Sequence, residues 1–260
     1  MAATKFLQTE QGRSIAYHFH SGRGPTVVFL GGLKSDMEGT KAIHLEAWAH
    51  ARGQAFLRFD YSGHGESSGT FEEGCLGDWH QDTLAAVQAL TTGKIVPVGS
   101  SMGGWLMLLA AQKLGQTIAG LVGIAAAPDF TQWGFSDTQK VALAAGETIY
   151  EDSDYGYDPM PTHAGFWADG QAQLQLTGEI TLDCPVRLLH GQEDADVPCD
   201  TSLRLAAALR SEDVQVTLVK GGDHRLSRGG DIPPHDTAPS FRTRFVKALW
   251  RPESRRSGEL

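Results

Sequence analysis

The chain has 260 residues, 41% of them hydrophobic, which is enough for one large domain with a sizeable buried core. Its formal net charge of −9 argues against nucleic acid as a partner, and no apolar run approaches the ~20 residues that cross a bilayer. The three cysteines are unevenly spaced, which argues against a disulfide framework, and the N-terminus has neither a signal nor a transit pattern, so we expect a cytoplasmic protein.

Strands and helices alternate along the first half of the chain. Residues 5–20 alternate in polarity around a Gln-Gly turn, which predicts an antiparallel hairpin. The later alternation predicts parallel strands joined by right-handed crossovers, and therefore an α/β fold whose mostly parallel central sheet carries helices on both faces. The elements predicted after the hairpin are strands over 25–30, 55–60 and 120–125, helices over 41–52 and 77–90, and a strand–turn–helix unit over 94–114.

The alternation stops between residues 128 and 183. This segment is rich in aromatic residues, and an insertion of this kind between core strands is typical of a cap over a site. Trp133 and Trp167 are the candidate pocket residues, and trimming either is expected to change chain-length preference more than stability. The alternative is a surface excursion that packs its aromatic side chains on the main core.

The last part of the chain returns to the α/β pattern. The predicted elements are strands over 186–190 and 214–219 and helices over 201–209 and 241–250. We therefore expect a core formed by residues 1–127 and 184–250, a cap formed by residues 128–183, and a frayed tail over 251–260.

Residues 99–103, Gly-Ser-Ser-Met-Gly, fit the G-x-S-x-G pattern of a nucleophile elbow. A serine on a sharp strand-to-helix corner has a strained backbone, and Gly99 and Gly103 lack the Cβ atoms that would keep strand and helix apart. Ser101 then lies at the start of a helix, where free N–H groups face any oxyanion. An ordinary glycine-rich strand–helix turn is the alternative.

A serine nucleophile needs a base within hydrogen-bond reach, and the base needs an orienting acid. Asp194 follows the predicted strand over 186–190. His224 follows the next one, over 214–219. Because acid and base follow the serine in the order expected after a nucleophile elbow, we predict a catalytic triad of Ser101, Asp194 and His224.

Neighbouring residues leave alternatives open. Ser100 adjoins Ser101, although only Ser101 lies midway between the two glycines. Glu193 and Asp196 are close enough to Asp194 in sequence that either could be the acid instead.

Four histidines besides His224 bear on the site. His190 ends a buried strand and is expected to be a structural, hydrogen-bonding residue, whereas His64 lies in a glycine-rich loop and could be near the site without a catalytic role. His18 and His20 share one face of the hairpin, but no further ligand follows at metal spacing, so no metal site is predicted.

The oxyanion hole is expected to consist of backbone N–H groups. One is that of Met102, directly after the nucleophile. The other is that of Leu33, in the loop after the strand over 25–30, where Gly31 and Gly32 let the chain pass close to the site.

Five stretches in combination resemble the α/β-hydrolase superfamily. They are residues 39–42 (Gly-Thr-Lys-Ala), 58–63 (Arg-Phe-Asp-Tyr-Ser-Gly), 98–108 (Val-Gly-Ser-Ser-Met-Gly-Gly-Trp-Leu-Met-Leu), 184–191 (Cys-Pro-Val-Arg-Leu-Leu-His-Gly) and 223–225 (Asp-His-Arg). Within that superfamily the chain is similar to the acyl-glucuronide esterase and palmitoyl-protein thioesterase branch of the α/β-hydrolase-domain group. The resemblance implies an α/β-hydrolase fold with an inserted cap, and Ser101, Asp194 and His224 as the triad.

These features predict a serine hydrolase that uses no metal and no cofactor and acts on a small-molecule acyl ester or thioester. Ser101 would attack the acyl carbonyl with His224 as base, and water would then hydrolyse the acyl-serine. The same triad would also serve a peptidase or a C–C bond hydrolase. Outside the enzymes, the alternative is a non-catalytic ligand-binding module on the same scaffold.

Overall fold

The computed structural model describes residues 3–151 and 159–226, so the predicted helix over 241–250 and the tail over 251–260 lie outside the described residues. The described strands are β1 (Lys5–Gln8), β2 (Ser14–His20), β3 (Arg23–Leu30), β4 (Gln54–Phe59), β5 (Ile95–Ser100), β6 (Leu121–Ile124), β7 (Ile149–Glu151), β8 (Met160–Thr162), β9 (Val186–Gly191) and β10 (Val214–Val219). The described helices are α1 (Thr40–Ala51), α2 (Leu76–Leu90), α3 (Met102–Leu114), α4 (Phe130–Trp133), α5 (Asp137–Ala144), α6 (Ala164–Ala172) and α7 (Asp200–Ala208), with short 3₁₀ turns at Phe71–Glu73 and Gly115–Thr117.

The main sheet has eight strands in the order β1-β2-β4-β3-β5-β6-β9-β10. The β1–β2 and β2–β4 pairs are antiparallel, and every neighbouring pair from β4 to β10 is parallel. The predicted mostly parallel α/β fold is thus confirmed. Because six strands of the main sheet (β4, β3, β5, β6, β9 and β10) run the same way, the loops at their carboxyl ends meet at one edge of the sheet.

Hydrophobic side chains project from both faces of the central strands. On one face Val28 of β3 belongs to a core cluster that includes Trp105 of α3, whereas on the other Val27 belongs to a cluster with Ala42 and Leu45 of α1. A parallel sheet covered by helices on both faces requires such apolar strands. The sheet is therefore a buried, rigid platform for the loops at its carboxyl edge.

Several strand boundaries differ from the sequence-based prediction by one residue, and the start of β3 differs by two. We expected the third strand to begin at residue 25, but β3 begins at Arg23, which pairs with Gln54 of β4. The pairing register shifts between Arg23 and Val27, so an irregularity separates this first pair from the regular part of the strand.

The N-terminal hairpin is tied to α2 through Arg13. The Arg13 guanidinium donates hydrogen bonds to Asp82 Oδ1 (2.7 Å) and Asp78 Oδ1 (3.2 Å). The Asp82 side chain is fully buried, and its Oδ2 accepts hydrogen bonds from the backbone N–H (2.9 Å) and the hydroxyl (2.6 Å) of Ser62. One buried carboxylate therefore joins the hairpin, α2 and the loop that follows β4.

Helices α4 to α6 and the β7–β8 pair lie in the segment 128–183, between β6 and β9. This segment packs on α2 and α3: the Phe166 ring lies 5.7 Å from the Trp79 ring, and the Trp105 indole N–H donates to the carbonyl of Gln173 (3.1 Å). The division into a core and a cap stays a prediction. Among the described helices, none has the length and hydrophobicity that crossing a bilayer requires.

Candidate active site

Ser101 lies on the sharp corner between β5 and α3. Its backbone has φ 54° and ψ −121°, a conformation that residues other than glycine seldom adopt. A Cβ atom on Gly99 would lie 2.3 Å from the carbonyl oxygen of Gly103, and one on Gly103 would lie 2.1 Å from that of Leu30. Both positions therefore need glycine so that strand, corner and helix can approach each other.

His224 lies in the loop after β10 and bridges the other two predicted triad residues. Its Nε2 is 3.2 Å from Ser101 Oγ, and its Nδ1 is 2.8 Å from Asp194 Oδ2. Because an ionised carboxylate only accepts, Nδ1 carries the hydrogen and Nε2 is free to accept the serine proton. The serine, the histidine and the aspartate thus form a continuous chain of hydrogen bonds.

The carboxylate of Asp194 is fully buried in the loop after β9. Its Oδ1 accepts from the N–H groups of Asp196 (3.0 Å) and Val197 (2.8 Å), and its Oδ2 lies 3.2 Å from His190 Nε2 as well as near His224. Burial raises the pKa of Asp194, but hydrogen bonds from His190, His224 and Val197 outweigh it and hold the pKa well below its usual value. The carboxylate is therefore ionised and fixed in orientation at neutral pH.

The contact between His190 and Asp194 was not expected from the sequence. The His190 side chain is fully buried, with Nδ1 2.7 Å from Ser202 Oγ and Nε2 2.9 Å from the carbonyl of Val197. With the Ser202 hydroxyl donating to Nδ1, the Nε2 hydrogen is shared between that carbonyl and Asp194. The sequence did contain a signal for this contact: His190 ends the predicted strand four residues before Asp194.

The alternative triad residues Ser100, Glu193 and Asp196 do not take the place of Ser101 or Asp194. Ser100 is buried at the end of β5, whereas Glu193 and Asp196 are exposed. In the part of the chain that the structure describes, none of the three is hydrogen-bonded to the ring of His224. The hydrogen bonds described for the His224 ring go to Ser101 and Asp194.

The hairpin histidines make local contacts on β2. His18 Nε2 lies 3.7 Å from Glu38 Oε1, and His20 Nε2 lies 2.8 Å from the carbonyl of Gln54. Neither belongs to a group of potential metal ligands among residues 3–151 and 159–226.

Within those ranges, one group of side chains has the spacing of a metal site. Potential ligand atoms of Asp194, Asp196 and His224 lie within 4.8 Å of one another. Asp194 and His224 are already hydrogen-bonded to each other, and a cation would have to break that bond. Acidic loop residues alone are common without a bound ion, so this cluster does not point to a metal centre.

The predicted oxyanion donors flank Ser101. A Cβ atom on Gly32 would lie 3.3 Å from Ser101 Cβ, so the loop after β3 passes close to Ser101, and Leu33 is the next residue. Met102 is the first residue of α3, and its N–H has no acceptor within the helix. The roles of Leu33 and Met102 stay predictions.

A small cavity adjoins the loop after β3 at Leu33. Its volume is about 10 Å³, room for about one water molecule. Its walls come from the loop after β3, the 3₁₀ turn and loop that precede α2, the first part of α2, and the segment 128–183. The lining residues are Leu33, Phe71, Glu72, Gly74, Trp79, Pro161, Thr162, His163 and Phe166.

The two predicted pocket tryptophans are not among these lining residues. Their indole N–H groups donate to loop carbonyls instead, that of Trp133 to Pro128 (2.8 Å) and that of Trp167 to Thr131 (3.0 Å). Phe166, one residue before Trp167, lines the cavity and was missed. Aromatic composition located the segment but did not tell which ring faces the cavity.

Comparison with known proteins identifies related sequences and structures. The profile described as "Alpha/beta hydrolase family" matches residues 27–239. The mitochondrial palmitoyl-protein thioesterase of mouse is 38% identical over 237 residues, covering 89% of this chain and 79% of its own length. Its human counterpart is 36% identical over 233 residues, covering 87% and 76%.

A solved structure gives the same result. Alpha/beta hydrolase domain-containing protein 10 from mouse superposes with a TM-score of 0.82 at 36% identity, covering 88% of this chain and 94% of that one. The expectation of a cytoplasmic location is wrong, because the related thioesterases are named as mitochondrial proteins. The features of the N-terminus were therefore an unsound basis for assigning a compartment.

Proposed function

Because the chain belongs to the alpha/beta hydrolase family, we propose that it hydrolyses carboxylic esters or thioesters through an acyl intermediate on Ser101. The observation that carries the proposal is the hydrogen-bond chain from Ser101 Oγ through His224 to Asp194, with distances of 3.2 Å and 2.8 Å. Loops after three different strands contribute these side chains, which follow one another along the chain in the order nucleophile, acid and base expected after a nucleophile elbow.

In the first step Ser101 Oγ attacks the acyl carbon while its proton moves to His224 Nε2. Asp194 accepts the Nδ1 hydrogen bond and stabilises the imidazolium, since the low pKa of this carboxyl keeps it ionised. The carbonyl oxygen becomes an oxyanion, for which the N–H groups of Met102 and Leu33 are the proposed donors. Each such donor typically contributes about 10²–10³ in rate.

In the second step the tetrahedral intermediate collapses and its C–O or C–S bond breaks. The imidazolium of His224 returns its proton to the departing alkoxide or thiolate, leaving an acyl group on Ser101. A water molecule then loses a proton to His224 and attacks the acyl carbon. Collapse of this second intermediate restores the serine hydroxyl and releases the carboxylic acid.

Thioesters are the proposed preferred class, because the related mouse and human proteins are named as palmitoyl-protein thioesterases. A matched pair of substrates with one acyl chain, joined once through oxygen and once through sulfur, measures this preference directly. A higher kcat/KM for the thioester is expected. Equal or lower values would overturn the preference for thioesters, and only a thioester that is not hydrolysed would restrict the proposal to esters.

The nucleophile is tested by Ser101→Ala, with Ser100→Ala as the matched control. We expect Ser101→Ala to lower the kcat for a p-nitrophenyl ester on the order of 10⁶-fold and to abolish labelling by a fluorophosphonate probe. Ser100→Ala should keep both, because its side chain is buried at the strand end. Wild-type rates in Ser101→Ala would contradict the assignment, and absence of labelling in the wild-type protein would favour a non-catalytic binding module.

A further inference from the structure

The oxyanion loop, defined as residues 31–34, is anchored on its far side by the loop that follows β4. The Tyr61 hydroxyl donates to the carbonyl of Gly31 (3.2 Å), and the backbone N–H of Lys34 donates to His64 Nε2 (3.2 Å). These two bonds hold the first and the last residue of the oxyanion loop. Leu33, whose N–H is a proposed oxyanion donor, is bonded directly to Lys34.

His64 is itself held rigidly. Its ring is 4% exposed, and its Nδ1 lies 3.2 Å from the carbonyl of Ser62. Because the Lys34 N–H can only donate, Nε2 is the acceptor and the ring hydrogen on Nδ1 is donated to Ser62. Burial lowers the pKa of His64, which favours this neutral form.

Three aromatic rings surround the imidazole and leave it little freedom to turn. The ring centroids of Tyr61, Phe71 and Trp79 lie 5.6, 5.3 and 5.0 Å from that of His64, each in an edge arrangement. The Trp79 indole N–H also donates to the carbonyl of Ser62 (3.0 Å), the same group that faces His64 Nδ1. The acceptor that faces Lys34 is therefore fixed in place by packing as well as by hydrogen bonds.

The backbone of Lys34 needs such a fixed acceptor. Its φ is 56°, a left-handed conformation that costs a residue with a side chain about 1–3 kcal/mol and persists only where the surroundings hold it. Without the bond to His64, Lys34 could relax to a common backbone conformation. The adjacent N–H of Leu33 would then turn away from Ser101.

We propose that His64 is a positioning residue: its Nε2 holds the Lys34 amide and so keeps the neighbouring Leu33 N–H directed at the oxyanion. The inference rests on the proposed function, since it needs an oxyanion at Ser101. The hydrogen bonds described for the His64 ring go to Lys34 and Ser62, and none goes to Ser101. His64 acts on the transition state only through the oxyanion loop.

The test compares His64→Phe, which keeps a ring but removes the acceptor, with His64→Gln, whose amide oxygen can occupy the Nε2 position. Rates are measured on a p-nitrophenyl ester and divided by the number of serines that a fluorophosphonate titrates. We expect His64→Phe to lower kcat by roughly 10- to 100-fold, the effect of a slightly misplaced group, with little change in KM. His64→Gln should recover most of this loss.

Inhibition by a trifluoromethyl ketone gives a second readout, since its hemiketal oxyanion uses the same donors. Its Ki should rise in His64→Phe in parallel with the fall in kcat. The matched control is His20→Gln, on the hairpin, which should leave kcat and Ki unchanged. A kcat in folded His64→Phe within about twofold of wild type, well below the cost of a misplaced group, would overturn the inference.

Folding of the variants is checked by thermal melts. If His64→Phe does not fold, His64→Gln is compared with His64→Asn, whose shorter side chain does not reach the Nε2 position. A lower kcat for the asparagine variant supports the inference, and equal values overturn it. The Ser101→Ala variant separates the two proposals: if it stays active, both fail, whereas if only His64→Phe stays active, the positioning role fails alone.

Discussion

The loops at the carboxyl edge of the sheet and the segment 128–183 differ in how their important side chains are held. Ser101 follows β5 directly, Asp194 lies three residues after the end of β9, and backbone N–H groups hold the Asp194 carboxylate in place. Phe166, by contrast, lies on a helix outside the sheet and reaches the cavity by packing on Trp79. The proposed chemistry therefore lies at the sheet edge, and the packed segment contributes walls to the small cavity beside Leu33.

This difference predicts separate effects of mutation in the two regions. Changes at the sheet edge should alter the rate for every substrate, because they act on the groups that react. Changes in the segment 128–183 should alter the choice among substrates or the stability of the fold. The following variants test that separation.

The largest effect is expected for Asp194→Asn. An amide in place of the carboxylate can hold His224 in the wrong tautomer, and in a comparable triad this costs about 10⁴ in kcat. Steady-state kinetics on a p-nitrophenyl ester measure the loss, with Asp196→Asn as a control that keeps the rate. A similar loss for every acyl chain length is expected, and a loss confined to one chain length would break the proposed separation.

The same variant has a pH signature in stability. Because the folded pKa of Asp194 lies below its unfolded value of about 3.9, its stabilising effect is present above that pH and is lost as the pH falls. The difference in Tm between wild type and Asp194→Asn should therefore be largest near neutral pH and shrink in acid. A difference that grows in acid would contradict the ionised, multiply hydrogen-bonded carboxylate.

An intermediate effect is expected for Phe166→Ala, which removes one wall of the cavity. The cavity holds about one water molecule, so added space should favour longer acyl groups. A methylene in an apolar pocket changes selectivity by about 10- to 200-fold, and we expect a shift near the lower end of that range in the kcat/KM ratio of long to short esters. Val141→Ala, at a residue 70% exposed on α5, is the control.

The smallest effect is expected for Trp167→Phe. Loss of the indole bond to the carbonyl of Thr131 should cost about 1 kcal/mol of unfolding free energy, measured by urea denaturation. Chain-length preference should stay as in wild type, because Trp167 is not among the lining residues. An unchanged denaturation midpoint with an altered preference would instead support the sequence-based expectation for this tryptophan.

The contrast between the regions also explains what could be predicted from sequence. The elbow around Ser101 is encoded in five consecutive residues, because the turn itself needs glycine at both flanks. Asp194 and His224 could be chosen because each follows a predicted strand, in the order expected after a nucleophile elbow. These selections used local patterns and strand order alone.

The features that were missed depend on contacts between distant parts of the chain. His64 and Lys34 are 30 residues apart, and their bond depends on how two loops approach each other. Which aromatic residue of α6 lines the cavity depends on the angle at which that helix packs against α2. Neither arrangement can be predicted from the spacing of residues along the chain. The aromatic composition therefore indicated the segment 128–183 but did not identify Phe166.

The Arg13 bond network has a practical consequence for where the chain can be shortened. Removing the hairpin would leave the buried carboxylate of Asp82 without its guanidinium partner, a loss that typically costs about 3–5 kcal/mol. Asp82 also binds the backbone N–H of Ser62, whose carbonyl accepts a hydrogen bond from His64. Loss of the hairpin is therefore expected to disturb the position of the oxyanion loop as well. Affinity tags and truncations belong outside the hairpin, even though it lies at the edge of the sheet farthest from β10.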